Sequence, residues 1–507
     1  MTTRSLVIAT AALLPLGAAA PVGAAAKGHH ALVTGFDDET AYRNDDPAQR
    51  QAAFTHTRAA RASRVRFFVN WASVAPHRPP SAGAARSPSW SGYQWQRTDR
   101  VVREVHDAGL TAFPTFAGAP AWAEGANRPR VSTLFPAGSW RPSARAFGEF
   151  ATAMARRYSG SYPDPLRPGH ELPRIRYWQG WNEPNLNGAI TPQYSRSGHH
   201  YVATAPFIYK ALLNAFYSGV KSVHSSNFVV SGGLAPYGDY NRDPIRTPPA
   251  RFARYMLCVR GRTHPKPARH CRGGPAKFDA LAAHPYPFDY PLRPAINPDD
   301  IVMPDFWKLS RPLRVAERAG YVRPRKHKQL WATEFSYDSS PPDPGGLPTQ
   351  TQARWLEGSL YELWHQGVSD ATWWQLRDSA KGIGYRYTLQ SGIFYRGATV
   401  GQDKPKPSYT AFRFPFTAYS SHGVAQLWGL APAGGRVSIQ RLGCHGWSTI
   451  RRLTAGHNRV FFGRARLAGG TAVRARYGKQ ASLGWNVGTD GIKFHRKMHP
   501  VGRCKGR

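Results

Sequence analysis

The sequence predicts an α/β fold: a closed (β/α)8 TIM barrel followed by a small C-terminal β-sandwich. Three observations point there. Eight short β-rich runs alternate with amphipathic segments over roughly 380 residues. Several of those runs are apolar at consecutive positions, as strands covered on both faces must be. Beyond residue 415 the helical period disappears, and only short β runs divided by Gly, Asn and Ala-Gly turns remain. The alternative, an open doubly wound sheet, usually carries a glycine-rich phosphate turn after its first strand, and "TGFDDETAYRN" is not one.

Taken in chain order, residues 1–26 read as a secretory signal peptide: Arg4, an apolar run from Leu6 to Ala20, then "PVGAAA" with small residues for cleavage. No later run is long and apolar enough to span a membrane. The mature chain is therefore expected to be secreted, with a barrel over 27–415 and a β-sandwich over 416–507 that ends in a basic tail. The expected barrel strands are "HALVTGF" (30–36), "RVRFFVN" (64–70), "LTAFPTF" (110–116), "RIRYWQG" (174–180), "NFVVSGG" (227–233), "FDALAAH" (278–284), "QLWATEF" (329–335) and "DATWWQL" (370–376). Helices are expected at 98–108, 143–158, 205–223, 306–319 and 350–366. In the last, Leu356, Leu360 and Leu363 recur at helical spacing. The sandwich is built from runs such as "VAQLWGL", "RVSIQRL", "STIRRL", "NRVFFG" and "TAVRARYG". Because "AFRFPF" joins the two parts without a flexible linker, the sandwich is expected to brace the barrel, with glycan binding through Trp428 or Trp447 as the alternative.

With 68 basic and 30 acidic residues the formal net charge is +38. Such a charge favours anionic surfaces, among them an anionic glycan or cell wall. No nucleic-acid recognition motif accompanies it, so nucleic acid is not expected as a partner. The four cysteines of an exported chain suggest disulfides, paired by proximity as Cys258–Cys271 and Cys444–Cys504. No Cys/His spacing suggests a zinc site, and neither a metal nor an organic cofactor is expected.

In a closed parallel barrel the chemistry lies at the carboxyl ends of the strands. The chain holds only ten glutamates, which makes them easy to sort. Glu104, Glu149, Glu317, Glu357 and Glu362 fall in helix patterns, where solvated faces explain them. Glu171 precedes the fourth strand, at the wrong end, and Glu39 and Glu124 lie in loops. Only Glu183 and Glu334 close strands among aromatics, in "YWQGWNEP" and "LWATEFSY". Two facing carboxyls suit glycoside hydrolysis: one protonates the leaving oxygen, the other attacks the anomeric carbon or activates water.

"WNEP" closing strand four and "WATEF" closing strand seven resemble clan A of the retaining glycoside hydrolases, and "GGLAPYGDY" after strand five with "SGIFYRG…KPKPSYTAFRFPF" resembles its bacterial xylosidase-like and cellulase-like members. The resemblance spans roughly residues 30–415. It implies Glu183 as general acid/base, Glu334 as nucleophile and Asn182 as a donor to the sugar 2-hydroxyl. It further implies that Arg66 in "VRFFVNW" holds Glu334 ionised, that His284 and Tyr286 of "HPY" form a His-x-Tyr pair with Tyr286 on the nucleophile, that Trp373 or Trp374 is the sugar platform, and that Trp122 of "TFAGAPAWA" stacks on sugar. Trp71 and Trp178 are left to the core. The expected function is a secreted retaining glycosidase acting on an oligo- or polysaccharide. The alternatives are a non-catalytic carbohydrate- or cell-wall-binding protein on the same barrel, and a transglycosylase using the same residues.

Overall fold

A computed structural model describes residues 29–198, 200–241, 244–380, 385, 389–488 and 498–500. The expected signal segment and Cys504 lie outside the described residues, so the pairing Cys444–Cys504 does too.

Eight parallel strands close a barrel: β1 (Val33–Asp37), β2 (Arg64–Asn70), β3 (Thr111–Ala117), β4 (Tyr177–Gly180), β5 (Phe228–Ser231), β6 (Ala280–Ala283), β7 (Gln329–Phe335) and β8 (Val368–Trp374). They pair in sequence order, and β8 returns to β1. A helix follows each strand: α1 (Pro47–Ala59), α2 (Gln96–Asp107), α3 (Ala144–Arg157), α4 (Ala205–Val223), α5 (Pro249–Met256), α6 (Trp307–Arg318), α7 (Thr349–His365) and α8 (Pro407–Arg413). α1, α5 and α8 were not among the expected helices. Yet α1 carries a start signal, the Asp46 carboxylate accepting from Ala48 N–H with Pro47 in the first turn.

Strand alternation fills the barrel in layers. On β2 the inward positions include Arg64 and Arg66. Arg64, toward the amino end, pairs with Asp370 and lies 3.7 Å from the Tyr177 ring centre and 4.8 Å from that of Trp331. Phe113, Val230, Ala280, Ala282 and Trp331 complete that closed floor. Arg66, two residues on, stands at the carboxyl end, where the register sets it beside Asp37 of β1.

From Phe416 the strands are antiparallel. β9 (Phe416–Ser421), β10 (Val424–Leu430) and β13 (Val460–Arg466) form one sheet. β12 (Gly446–Ala455) at one edge, β11 (Gly435–Gly443) and β14 (Ala472–Tyr477) form most of another. Val437, Ile439, Phe461, Val473 and Trp485 fill the space between them. The first sheet packs on α7. Trp428 is fully buried, its ring 5.7 Å from those of Trp364 and Tyr361, and Tyr361 donates to Gln426 Oε1 at 3.0 Å. Glu357, expected on a solvated face, is instead buried, because the start of β9 covers that side of α7; it accepts from Phe416 N–H. A disulfide joins Cys258 and Cys271 in the loop after α5.

Candidate active site at the carboxyl end of the barrel

The chain leaves β4 through a constrained turn. Trp181 and Glu183 both have positive φ, 80° and 43°. Side-chain-bearing residues adopt this region at a cost of roughly 1–3 kcal/mol each, and such outliers gather at functional sites. Three bonds hold the turn: Trp181 N–H to Phe116 O at 2.7 Å, Glu183 N–H to Gly233 O at 3.0 Å and Leu186 N–H to Glu183 O at 2.9 Å. The result aims the Glu183 side chain over the barrel mouth. Gly233 has no freedom to be larger, because a Cβ there would meet His284 Nε2 at 2.0 Å.

Glu334, the last residue but one of β7, faces Glu183. His284 stands between them, with Nδ1 3.0 Å from Glu183 Oε1 and 3.5 Å from Glu334 Oε2. One oxygen from each carboxylate and one His284 nitrogen lie within 4.8 Å of one another. That trio could also hold a divalent cation. Against this, the Arg66 guanidinium already sits 2.6 Å from Glu334 Oε1 and would repel one.

Arg66 is wholly buried and every arm is used. Nη1 donates to Glu334 and to Asp37, Nη2 to Asn182 Oδ1 at 2.8 Å, and Nε to Gln179 Oε1 at 2.8 Å. Burial alone pulls its pKa down, but the charges of Glu334 and Asp37 outweigh that and raise it. Burial drives the Asp37 carboxyl well above its usual range, against the pull of Arg66, and Glu334 adds to the rise. Tyr286 donates to Glu334 Oε2 at 3.2 Å. Burial, then Glu334 and Glu183, push the Tyr286 phenol far up, so its hydroxyl stays a donor.

A second chain of polar groups runs beneath. Gln179 Oε1 accepts from Thr115 and Arg66, while its amide donates to Ser231 O and to Thr333 Oγ1. Thr333 Oγ1 lies 3.1 Å from His284 Nε2. Thr333 thus anchors one edge of the imidazole and leaves Nδ1 facing Glu183. Asp37, Gln179 and Thr333 were missed from sequence. Gln179 had a signal, standing four residues before Glu183 in a strand where alternate residues point inward.

An open cleft borders the pair on two sides. A lobe of about 590 Å³ is lined by Glu183, Tyr237, Tyr286, Phe288, Glu334 and Trp374, among others. A second, of about 890 Å³, runs over Phe68, Asn70, Gly118, Asn182, Glu183 and Arg246. Thus Glu183, Glu334, Asn182, Arg66, His284, Tyr286 and Trp374 come together. Two expected platform residues do not. Trp373 is fully buried, packed edge-on against Phe335 with its indole N–H on Ser391 O, because neighbours in a strand point to opposite faces. Trp122 lines a separate hollow with Arg78, Tyr93 and Glu149, its indole N–H tied to Ala75 O at 2.9 Å. Trp71 and Trp178 are core residues, as expected.

No protein-family model matches the chain, and no curated protein matches its sequence. Among solved structures it is similar to a family 39 glycoside hydrolase from the gut symbiont Bacteroides cellulosilyticus WH2. The identity is 16% and the TM-score 0.52, covering 86% of this chain and 79% of that one. A glucosidase from Croceicoccus marinus gives 13% identity and a TM-score of 0.47, over 87% of this chain and 94% of that one. A monomeric β-xylosidase from Caulobacter crescentus CB15 gives 14% and 0.47, over 82% of each. At these identities the first likeness is one of fold.

Proposed function

We propose that this protein is a retaining glycoside hydrolase, cleaving O-glycosidic bonds of an oligo- or polysaccharide by double displacement. The observation that carries the reading is the approach of Glu183 and Glu334 across an open cleft, one oxygen of each within 4.8 Å of the other. Retaining enzymes hold their carboxyls about 5–5.5 Å apart, whereas inverting ones leave about 6.5–9.5 Å for a water.

Glu334 attacks the anomeric carbon. Arg66 and Tyr286 orient the attacking carboxylate, since each donates to a different oxygen of it. Glu183 gives its proton to the departing oxygen as the glycosidic bond breaks. Glu183, now a carboxylate, then takes a proton from water, which attacks the same carbon and releases Glu334. His284 Nδ1 keeps the Glu183 carboxyl on station through both steps. Asn182, fixed by Arg66, donates its amide N–H to the sugar hydroxyl next to the reacting carbon. Trp374 stacks on the ring at the cleavage point.

The oligo- or polysaccharide chain is the substrate, and an anionic glycan or cell-wall surface is the partner that the charge favours. The chain is exported and residues 1–26 are removed. A screen of aryl β-glycosides and polysaccharides, run for wild type beside Glu334→Gln, tests the reading. Hydrolysis by wild type that the variant retains, or none by either, sinks it.

A further inference from the structure

Charge is divided unevenly along the chain. From Phe416 to Arg507 there are 16 basic residues and a single acidic one, Asp490. Before Phe416, Arg and Lys are repeatedly matched with carboxylates, down to the pair of Lys406 with Asp378. After it, no basic group makes an ion pair among the described residues. Ordinary soluble surfaces intersperse both signs.

The register gathers four of these cations on one face. In β11 and β14, Val437, Ile439, Val473 and Ala475 point into the sheet-to-sheet core. The alternate positions Arg436, Ser438, Arg474 and Arg476 therefore face outward. Ser438 pairs with Arg452 of β12 on one side and Arg476 of β14 on the other, so two arginines flank it in one row. With strands about 4.8 Å apart, their backbones stand about 10 Å from each other. In the next row Arg474 donates to Gln440 Oε1 at 2.9 Å, and its guanidinium lies 4.4 Å over the partly buried ring of Trp447. Burial, then the neighbouring charge of Arg476, lower the pKa of Arg474, as expected where cations crowd without a counter-charge.

We propose that this face, Arg436, Arg452, Arg474 and Arg476 with Trp447, is a binding site for an anionic polysaccharide, outside the catalytic cleft. The guanidiniums take the carboxylate or sulfate groups in forked hydrogen bonds. Trp447 supplies the flat apolar surface that a sugar ring covers. The choice of a glycan over a nucleic acid rests on the glycosidase reading, since attachment at a second site raises the local concentration of chain substrate at the first. The opposite sheet cannot serve, because its tryptophan, Trp428, is buried against α7.

The test is affinity electrophoresis of the full chain in gels of polygalacturonate or of neutral dextran, with titrations of single-stranded DNA and of anionic lipid vesicles alongside. Wild type should be retarded by polygalacturonate and not by dextran, with binding that weakens steeply between about 50 and 200 mM salt. The triple variant Arg452→Ala, Arg474→Ala, Arg476→Ala should bind at least about tenfold more weakly. A control triple of exposed barrel arginines, Arg58→Ala, Arg97→Ala, Arg318→Ala, should change binding less than about twofold. Trp447→Ala should weaken polygalacturonate binding about fivefold and leave DNA binding unchanged. The conservative Arg452→Gln and Arg476→Gln should each show a smaller step in the same direction. No retardation of wild type, an equal loss in the control triple, or tighter binding of DNA or vesicles than of polygalacturonate overturns the proposal. Aryl glycoside hydrolysis, measured in parallel, should be the same in wild type and the sheet variants. Its absence in wild type would overturn the glycosidase reading, whatever the gels show.

Discussion

The barrel and the sheets that follow it treat arginine in opposite ways. In the barrel, buried arginines are locked to carboxylates: Arg64 to Asp370, Arg103 to Asp164, Arg157 to Asp99 and Arg377 to Asp403. Arg66 is shared between two, Asp37 and Glu334. On the outer face of the second sheet Arg436, Arg452, Arg474 and Arg476 meet no carboxylate among the described residues. A buried cation must be paired, because its desolvation is otherwise too costly, so its partners become part of the fold. An exposed cation is kept charged by water and remains available to a partner. The comparison separates arginines that hold a site together from arginines that face outward.

The largest effect is expected at the residue that Arg66 serves. Glu334→Gln should lower kcat/KM at least about a thousandfold, or about 4 kcal/mol of transition-state stabilisation, in steady-state assays, with circular dichroism unchanged. Arg66→Met strands Asp37 and Glu334 in a dry site and should cost roughly 3–4 kcal/mol in urea unfolding, where activity is lost as well. Trp428→Ala, at the junction of the two regions, should cost roughly 3 kcal/mol. If a truncation ending near residue 415 stays soluble and active, the sheets do not brace the barrel.

The pH dependence of stability probes the same junction. Burial raises the Glu362 carboxyl, on α7 beside the first sheet, to about 7 from 4.5. The folded state therefore binds this proton more tightly than the unfolded chain. Stability from this group is full below about 4.5 and is lost as pH rises toward about 7. Glu362→Gln should flatten the fall, and the difference between the two unfolding curves should amount to about 1–2 kcal/mol at pH 8, reduced from the full shift by partial exposure. The smallest effect is expected at the sheet face: Arg474→Met should change stability by less than about 0.5 kcal/mol. A loss like that of Arg66→Met would erase the contrast.

Much of this was legible in the chain. Consecutive apolar positions marked the barrel strands, and the scarcity of glutamate isolated Glu183 and Glu334. What escaped was parity and depth. "TGFDDET" offers Asp37, Asp38 and Glu39 in a row, and nothing local tells which of them points at Arg66. "WW" in β8 holds one tryptophan of the cleft and one of the core. Glu357 sits in a helical pattern with nothing to show that a later sheet covers it. Trp122 is aromatic and lies beyond a strand end, yet its loop carries it into another hollow.

The alternation of strand and helix, the carboxyl ends where side chains would gather, and the basic, acid-poor character of the last ninety or so residues are all written along the chain. Each of these is local: a period, a terminus, a composition. Folding alone makes Glu183, His284 and Glu334 converge, sets Arg66 between Asp37 and Glu334, and puts Arg436, Arg452, Arg474 and Arg476 on one face. Those facts depend on closure of the barrel and on register between strands. One residue of slip in a strand reverses every side chain in it, and no local pattern records that choice.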